Sequence, residues 1–145
     1  MKAISWGPAA SAEPVLFEYI AGRFASGLCY LSTLRPDGWP RVHPIGPLIP
    51  EAGLVLVGML PRSPKAHDLR RNGRYAVHCT VEDGYGGGGE VLMTGIAESR
   101  EPTERHAERG WVTFELLVGE LLATIYDKEG GRPVSRRWSG RRPFS

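Results

Sequence analysis

Long apolar runs, a cysteine framework and a strong charge of either sign are all missing from this chain. No apolar run approaches the ~18 residues that span a membrane, and the N-terminus lacks the positive-then-apolar pattern of a signal peptide. Cys29 and Cys79 both lie inside apolar stretches, which is typical of buried thiols in a reducing compartment. We therefore expect a cytoplasmic protein without a membrane partner.

A weak excess of arginine is the main feature of the charge distribution. The formal net charge is +2, and the excess gathers at residues 62–74 and 132–142. A basic tail can bind nucleic acid or a membrane surface, but no aromatic residues are interleaved here at RNA-binding spacing. A solvated C-terminal end is the favoured interpretation, and we expect no nucleic-acid partner.

The candidate metal ligands and nucleophiles in the sequence do not form a recognisable metal-binding or catalytic motif. His67, His78 and His106 are scattered along the chain, and no spacing resembles a zinc site. A Ser/His/Asp or Cys/His arrangement cannot be recognised, because such groups meet in space rather than in sequence. We therefore expect no metal site and assign no catalytic residue.

Apolar periodicity divides the chain into short elements. Three helices are predicted, at residues 13–25, 64–72 and 102–109. Strands are predicted at residues 28–34, 41–49, 54–59, 75–81, 90–98 and 112–126, with a last segment at 133–138. Gly119-Glu120 shifts the phase of the longest strand, as a bulge would.

The connections between these elements define the fold class. The strands are joined mostly by hairpins and show no regular β-α-β alternation, which favours an antiparallel barrel over a doubly wound sheet. From six or seven strands we predict a mainly β, six-stranded split barrel with short flanking helices, in one domain over residues 1–145. Residues 1–12 and 139–145 are predicted as loose tails, and the glycine-rich stretch 84–89 as a flexible hairpin loop.

Residues 62–74 predict a helix whose N-terminus is suited to an anion. Ser63 is a favourable N-cap, and Pro64 falls at the first helical position. A helix N-terminus carries partial positive charge, so acidic residues usually lie there, whereas here Arg62 and Lys65 flank the cap. These charges repel one another unless an anion binds between them, and phosphate is the usual occupant. The alternative is a short surface helix with incidental basic residues.

Three motifs resemble the pyridoxamine 5'-phosphate oxidase-like family of flavin-binding split barrels. They are the hairpin LRPDGWP at 34–40, the helix start SPKAHDL at 63–69 and the strand EVLMTGIAE at 90–98. They follow the family's order and spacing over residues 14–138. The resemblance implies a split barrel that binds FMN and forms a homodimer, with two cofactor sites at the subunit interface.

The resemblance also implies roles for single residues. Ser63 and Lys65 match positions that hold the 5'-phosphate of the flavin, and Arg62 lies beside them. His43 falls where the family has a further phosphate-binding cation, an arginine. A histidine can still donate a hydrogen bond to phosphate, although with pH dependence.

Other positions are implied to approach the flavin ring. The strand through Pro44 and Ile45 is expected to pass under the isoalloxazine edge. Glu90 falls where the family's oxidases place a glutamine against the flavin, and an ionised carboxylate offers no donor there. Trp138 is expected to reach the cofactor of the partner subunit, while strand 112–126 and its neighbours bury much of the interface.

The departures from the family concern the substrate. Leu48 falls where a true pyridoxamine phosphate oxidase has a lysine for its substrate's phosphate. The family's C-terminal Arg-x-His segment is not recognisable in residues 136–145. We therefore predict that this chain does not oxidise pyridoxamine phosphate.

The resulting hypothesis is an FMN-binding oxidoreductase that passes a hydride or electrons between the flavin and a nicotinamide or small organic substrate. The flavin itself performs such chemistry and needs few catalytic side chains. The lack of a recognisable set of catalytic residues is therefore compatible with an enzyme and equally with a flavin carrier. Two alternatives remain. One is a reductase that uses the deazaflavin F420 on the same fold, and the other is a non-catalytic protein that binds flavin or haem. Haem would need His43 or His78 as its axial ligand.

Overall fold

A computed structural model describes residues 2–81, 89–126 and 133–140. Most of the predicted glycine-rich loop and the end of the predicted C-terminal tail lie outside these residues. The elements in chain order are α1 (Trp6–Ala12), α2 (Pro14–Ala25), β1 (Cys29–Leu34), β2 (Pro40–Ile45), β3 (Leu56–Met59), α3 (Pro64–Arg71), β4 (Arg74–His78), β5 (Glu90–Arg100), α4 (Glu104–Glu108), β6 (Val112–Ile125) and β7 (Val134–Ser139).

All pairings between the named strands are antiparallel, in the order β2-β1-β4-β5-β6-β3, and β7 also pairs with β6. The described residues thus contain seven strands, one more than the six predicted. The difference arises at β6, which is long enough to serve two partners. Its first part pairs with β3 and its last part with β7. β3 and β7 therefore pair with different parts of the same edge of β6, and the barrel is divided at this edge.

The core lies between the sheet and α2. Phe17, Ile20 and Phe24 follow one another at helical spacing, and all three are fully buried. They contact the strand residues whose side chains alternate into the core, a set that includes Leu31, Val77, Val91, Met93 and Leu121. The helix predicted at 13–25 is therefore confirmed, and its apolar face is what closes the barrel.

The prediction of a loose lead-in over residues 1–12 is wrong for most of its length. Ile4 forms an antiparallel bridge with Val118, and α1 begins two residues later. The Trp6 side chain is only 6% exposed, and its ring meets the Phe17 ring edge-on at a centroid distance of 4.8 Å. The helix was not predicted because seven alanine-rich residues show too little apolar periodicity. A helix this short is not stable alone, and burial of the Trp6 ring stabilises it here.

The second strand is shorter than predicted and lies at an edge of the sheet. It ends at Ile45, and the predicted extension to residue 49 is not part of the strand. Proline cannot donate a hydrogen bond to a sheet ladder, so the edge position accommodates Pro40 and Pro44. The bulge predicted at Gly119 is confirmed, since Thr94 pairs with Glu120 and Gly95 pairs with Val118. None of the described helices combines the length and apolar character needed to cross a membrane.

Candidate functional site

Ser63 caps α3 as predicted. Its backbone is extended, and its Oγ accepts a hydrogen bond from the Ala66 N–H at 3.3 Å while donating to the Leu60 carbonyl at 2.8 Å. Pro64 occupies the first turn, which contains no acidic residue. The first N–H groups of a helix lack intrahelical acceptors and carry partial positive charge. This end of α3 therefore attracts an anion.

His43 lies on the same side of β2 as the core, in register with Leu31 of β1. Its Nε2 atom is buried, and no described residue provides a hydrogen-bond partner for it. Burial lowers the pKa of His43, and the nearby charges of Lys65 and Arg41 lower it further, while Asp68 opposes them. The structure thus brings His43 and Lys65 together, although they are distant in sequence. A buried polar atom without a partner is costly and calls for an explanation.

Lys65 and Arg62 complete the basic surroundings of this N-terminus. Lys65 is half-buried and Arg62 is exposed. Within the described parts of the chain, neither residue takes part in an ion pair. Together with Ser63 and His43 they form what we call the α3 N-terminal site. It offers the backbone N–H of Lys65, side-chain cations and an unpartnered imidazole nitrogen, which are groups that bind phosphate.

Asp68 and Arg41 adjoin this site and were not found from the sequence. The Asp68 carboxylate is buried and accepts hydrogen bonds from Thr33 Oγ1 at 2.7 Å, Arg41 Nε at 2.8 Å and Arg71 Nη2 at 3.0 Å. Burial alone would raise the pKa of Asp68, but the hydrogen bonds from Arg41, Thr33 and Arg71 outweigh it and lower the pKa. The sequence held one signal for this ion pair, which is the position of Asp68 beside Leu69 on the apolar face of α3. An unpaired carboxylate would be costly on that face, so a cationic partner was to be expected.

Pro44 and Ile45 follow His43 along β2, and their side chains point to opposite faces of the strand. Ile45 is half-buried and packs against the core, whereas Pro44 is exposed and in register with Tyr30 on the outer face. Successive side chains of a strand point to opposite faces, so Pro44 and Ile45 cannot both face the core. Their predicted approach to a flavin ring remains a prediction.

Glu90 and Trp138 lie apart from the α3 N-terminal site in this chain. Glu90 is in register with Thr124, and its carboxylate accepts a hydrogen bond from Tyr126 Oη at 3.3 Å. The Trp138 ring packs edge-on against Phe17 at a centroid distance of 5.4 Å. Its predicted contribution to a cofactor of the partner subunit remains a prediction. Among the described residues, no three His, Cys, Asp or Glu side chains are placed to hold a metal ion.

Solved structures share this architecture. A putative pyridoxamine 5'-phosphate oxidase from Listeria innocua matches with a TM-score of 0.60 at 13% identity, over 77% of this chain and 97% of that one. A haem-binding protein from Mycobacterium smegmatis matches with a TM-score of 0.60 at 16% identity, over 82% of this chain. An F420 reductase matches with a TM-score of 0.54 at 15% identity, over 68% of this chain and 91% of that one.

These likenesses define the class of protein by its fold. The chain is a split barrel with the architecture of pyridoxamine 5'-phosphate oxidase-like proteins, as its three motifs predicted. It spans 56% of the length of the Mycobacterium smegmatis protein. No protein-family model and no curated protein matches its sequence.

Proposed function

We propose that this chain binds FMN, with the 5'-phosphate held by the α3 N-terminal site, and that it acts as an oxidoreductase. The observation that carries the proposal is the buried Nε2 atom of His43, which has no acceptor or donor among the described residues and lies within electrostatic range of Lys65. A phosphate oxygen would accept a hydrogen bond from that nitrogen. It would also offset the repulsion among the cations around it.

Each residue of the site has a separate role in this proposal. Ser63 and the backbone N–H of Lys65 orient the phosphate, while the side chains of Lys65 and Arg62 supply charge. His43 donates from the edge strand and aligns the phosphate with the β2 backbone. The bound flavin would supply hydride or electron transfer, and the protein's own task is to hold the ring and leave one face open to a small substrate. Leu48 is buried in the core and offers no charge to a second phosphate group, which supports the prediction that pyridoxamine phosphate is not oxidised.

The pH dependence of FMN affinity tests the proposal. Burial, together with the charges of Lys65 and Arg41, holds the pKa of His43 low in the free protein, whereas a bound dianion would raise it, so binding takes up a proton. Affinity contributed by His43 is therefore largest at low pH and is lost as the pH rises through the bound-state pKa. The ratio of wild-type to His43→Gln affinity should reach about tenfold near pH 6 and shrink by pH 8.

Titration by quenching of flavin fluorescence measures this ratio. The second ionisation of the phosphate, with a pKa of about 6, changes affinity in the opposite direction, but it affects both proteins equally and cancels in the ratio. A ratio near one at every pH would remove His43 from the site. A chain that quenches no FMN fluorescence at all would remove the flavin function itself.

Haem is the second candidate, because the same nitrogen that suits a phosphate also suits an iron. His43 Nε2 is unpartnered among the described residues, and His78 contacts the Cys79 carbonyl through Nδ1 at 2.7 Å, an arrangement that leaves its Nε2 free for a metal, so either histidine could ligate the iron. The similarity of the fold to that of a haem-binding protein supports this alternative. A Soret band on addition of haemin, lost in His43→Gln, would support it. F420 carries a phosphate and a similar ring, and competition between F420 and FMN would separate those two cofactors.

We further propose that the chain forms a homodimer through the outer face of its sheet. Tyr30 and Val42 expose 47% and 63% of their surface there, and Leu92 and Leu122 lie half-buried on the same face. These positions are neighbours through the registers of β2, β1, β4, β5 and β6. Exposed apolar patches of this kind mark association surfaces.

Sedimentation velocity tests the dimer. The wild-type chain of 15.9 kDa should sediment at about twice its mass. Val42→Arg should shift the population to monomer, since it places a charge in the proposed apolar contact. Val15→Arg is a matched control, because Val15 is 81% exposed on α2 rather than on the sheet. A wild-type monomer at micromolar concentration would contradict the proposal.

A further inference from the structure

We propose that Arg41 is a further phosphate-binding residue of the α3 N-terminal site and that the buried Asp68 is its positioning residue. The inference rests on the proposed function, because it assigns two more residues to the same ligand. It concerns phosphate recognition and makes no claim about the substrate.

Arg41 and His43 are two residues apart on β2, so their side chains project from the same face of the strand. Both are half-buried, and their charges interact closely enough for Arg41 to lower the pKa of His43. Asp68 engages Arg41 only through Nε, at 2.8 Å. The terminal Nη1 and Nη2 groups have no acceptor among the described residues. Four N–H donors of the guanidinium therefore have no acceptor among the described residues.

Asp68 is unusual because a carboxylate beside an anion site opposes binding of the anion. It is nonetheless 1% exposed and holds groups from three elements, namely Thr33 of β1, Arg41 of β2 and Arg71 of α3. These bonds dock α3 against the edge hairpin and fix the direction of the Arg41 guanidinium. A preorganised guanidinium loses less conformational freedom on binding than a free one. Orientation of the cation thus compensates for the unfavourable charge of Asp68.

The two possible roles of Asp68 predict opposite results for Asp68→Asn. If the carboxylate merely contributes charge, its removal makes the site more positive and tightens FMN binding. If it positions Arg41, its removal releases the guanidinium and weakens FMN binding. The sign of the change therefore distinguishes positioning from bulk electrostatics.

The measurement is the ratio of the riboflavin dissociation constant to the FMN dissociation constant, followed by fluorescence quenching. Riboflavin lacks the phosphate, so the ratio isolates phosphate recognition from folding defects and from ring binding. Arg41→Gln should lower the ratio about 10- to 100-fold, which is typical of losing a charge-assisted hydrogen bond. Asp68→Asn should lower it about 3- to 10-fold, and Asp68→Asn combined with Arg41→Gln should lower it no further than Arg41→Gln alone.

Arg35→Gln is the matched control. Arg35 also lies at the β1–β2 hairpin and also pairs with an aspartate, Asp37, at 2.8 Å, but both are exposed at the turn. It should leave the ratio unchanged. An unchanged ratio in Arg41→Gln, or a raised ratio in Asp68→Asn, would overturn the inference while leaving FMN binding intact. A wild-type ratio near one would overturn the proposed phosphate site and this inference together.

Discussion

Replacing Lys65 with glutamate is expected to weaken FMN binding by at least ~2 kcal/mol, a factor of roughly 30. Lys65 is half-buried beside His43 and makes no ion pair in the described parts of the chain. The substitution removes a charge-assisted hydrogen bond and places a carboxylate against the phosphate at the start of α3. Both changes act in the same direction, so their effects on FMN affinity add.

Lys2→Glu provides the matched control for this variant. It causes the same change in net charge, but the Lys2 carbonyl lies against Gly140, next to the end of β7. FMN affinity should be unchanged in Lys2→Glu, and riboflavin affinity should be nearly unchanged in both variants. Equal FMN affinity in Lys65→Glu and the wild type, measured by fluorescence quenching at 0.1 M salt, would remove the phosphate from the N-terminus of α3.

Gly95→Ala is expected to reduce the free energy of unfolding by about 3 kcal/mol or more. Gly95 lies on β5 opposite the bulge in β6, and a methyl group there would overlap the carbonyl oxygen of Leu117 and crowd the Gly119 N–H. These are backbone atoms in the most extensive strand pairing of the molecule. They can move only if the bulge itself is displaced.

The comparison variant is Gly22→Ala. Gly22 is exposed within α2, and a methyl group there meets no atom within 4 Å. Alanine favours the helix over glycine by about 1 kcal/mol, so the same chemical change should stabilise the protein at this position. Denaturant unfolding of the three proteins measures both effects. A Gly95→Ala protein as stable as the wild type would show that the β5–β6 bulge is not rigid.

Several local features were predictable because short-range chemistry determines them. Ser63 caps α3 with its own hydroxyl, and the helix ends at Arg71, within one residue of the predicted boundary. Asp37 lies in the turn of the hairpin identified at residues 34–40, where its carboxylate accepts a hydrogen bond from the Trp39 N–H at 3.2 Å. The bulge at Gly119 was visible as a break in alternation. In each case the deciding interactions lie within a few residues along the chain.

Other features had no local signal. The helix at Trp6–Ala12 is held by contact with Phe17 and by the bridge from Ile4 to Val118, neither of which can be inferred from a seven-residue alanine-rich segment. A last segment was predicted at residues 133–138, but its pairing as strand β7 with the second half of β6 had no local signal. Partners that are distant in sequence decide both elements.

By itself, the sequence determined the short elements, the turn and cap chemistry, and the collection of cations that favours an anion at one helix start. Only the tertiary structure decided which of those cations share a site. His43 meets Lys65, and Arg41 is held by Asp68, only after α3 has docked on the β1–β2 hairpin. Docking is driven by burial of Ala66 and Leu69 and by the bonds to Asp68, and these interactions depend on distance in space rather than on separation along the chain.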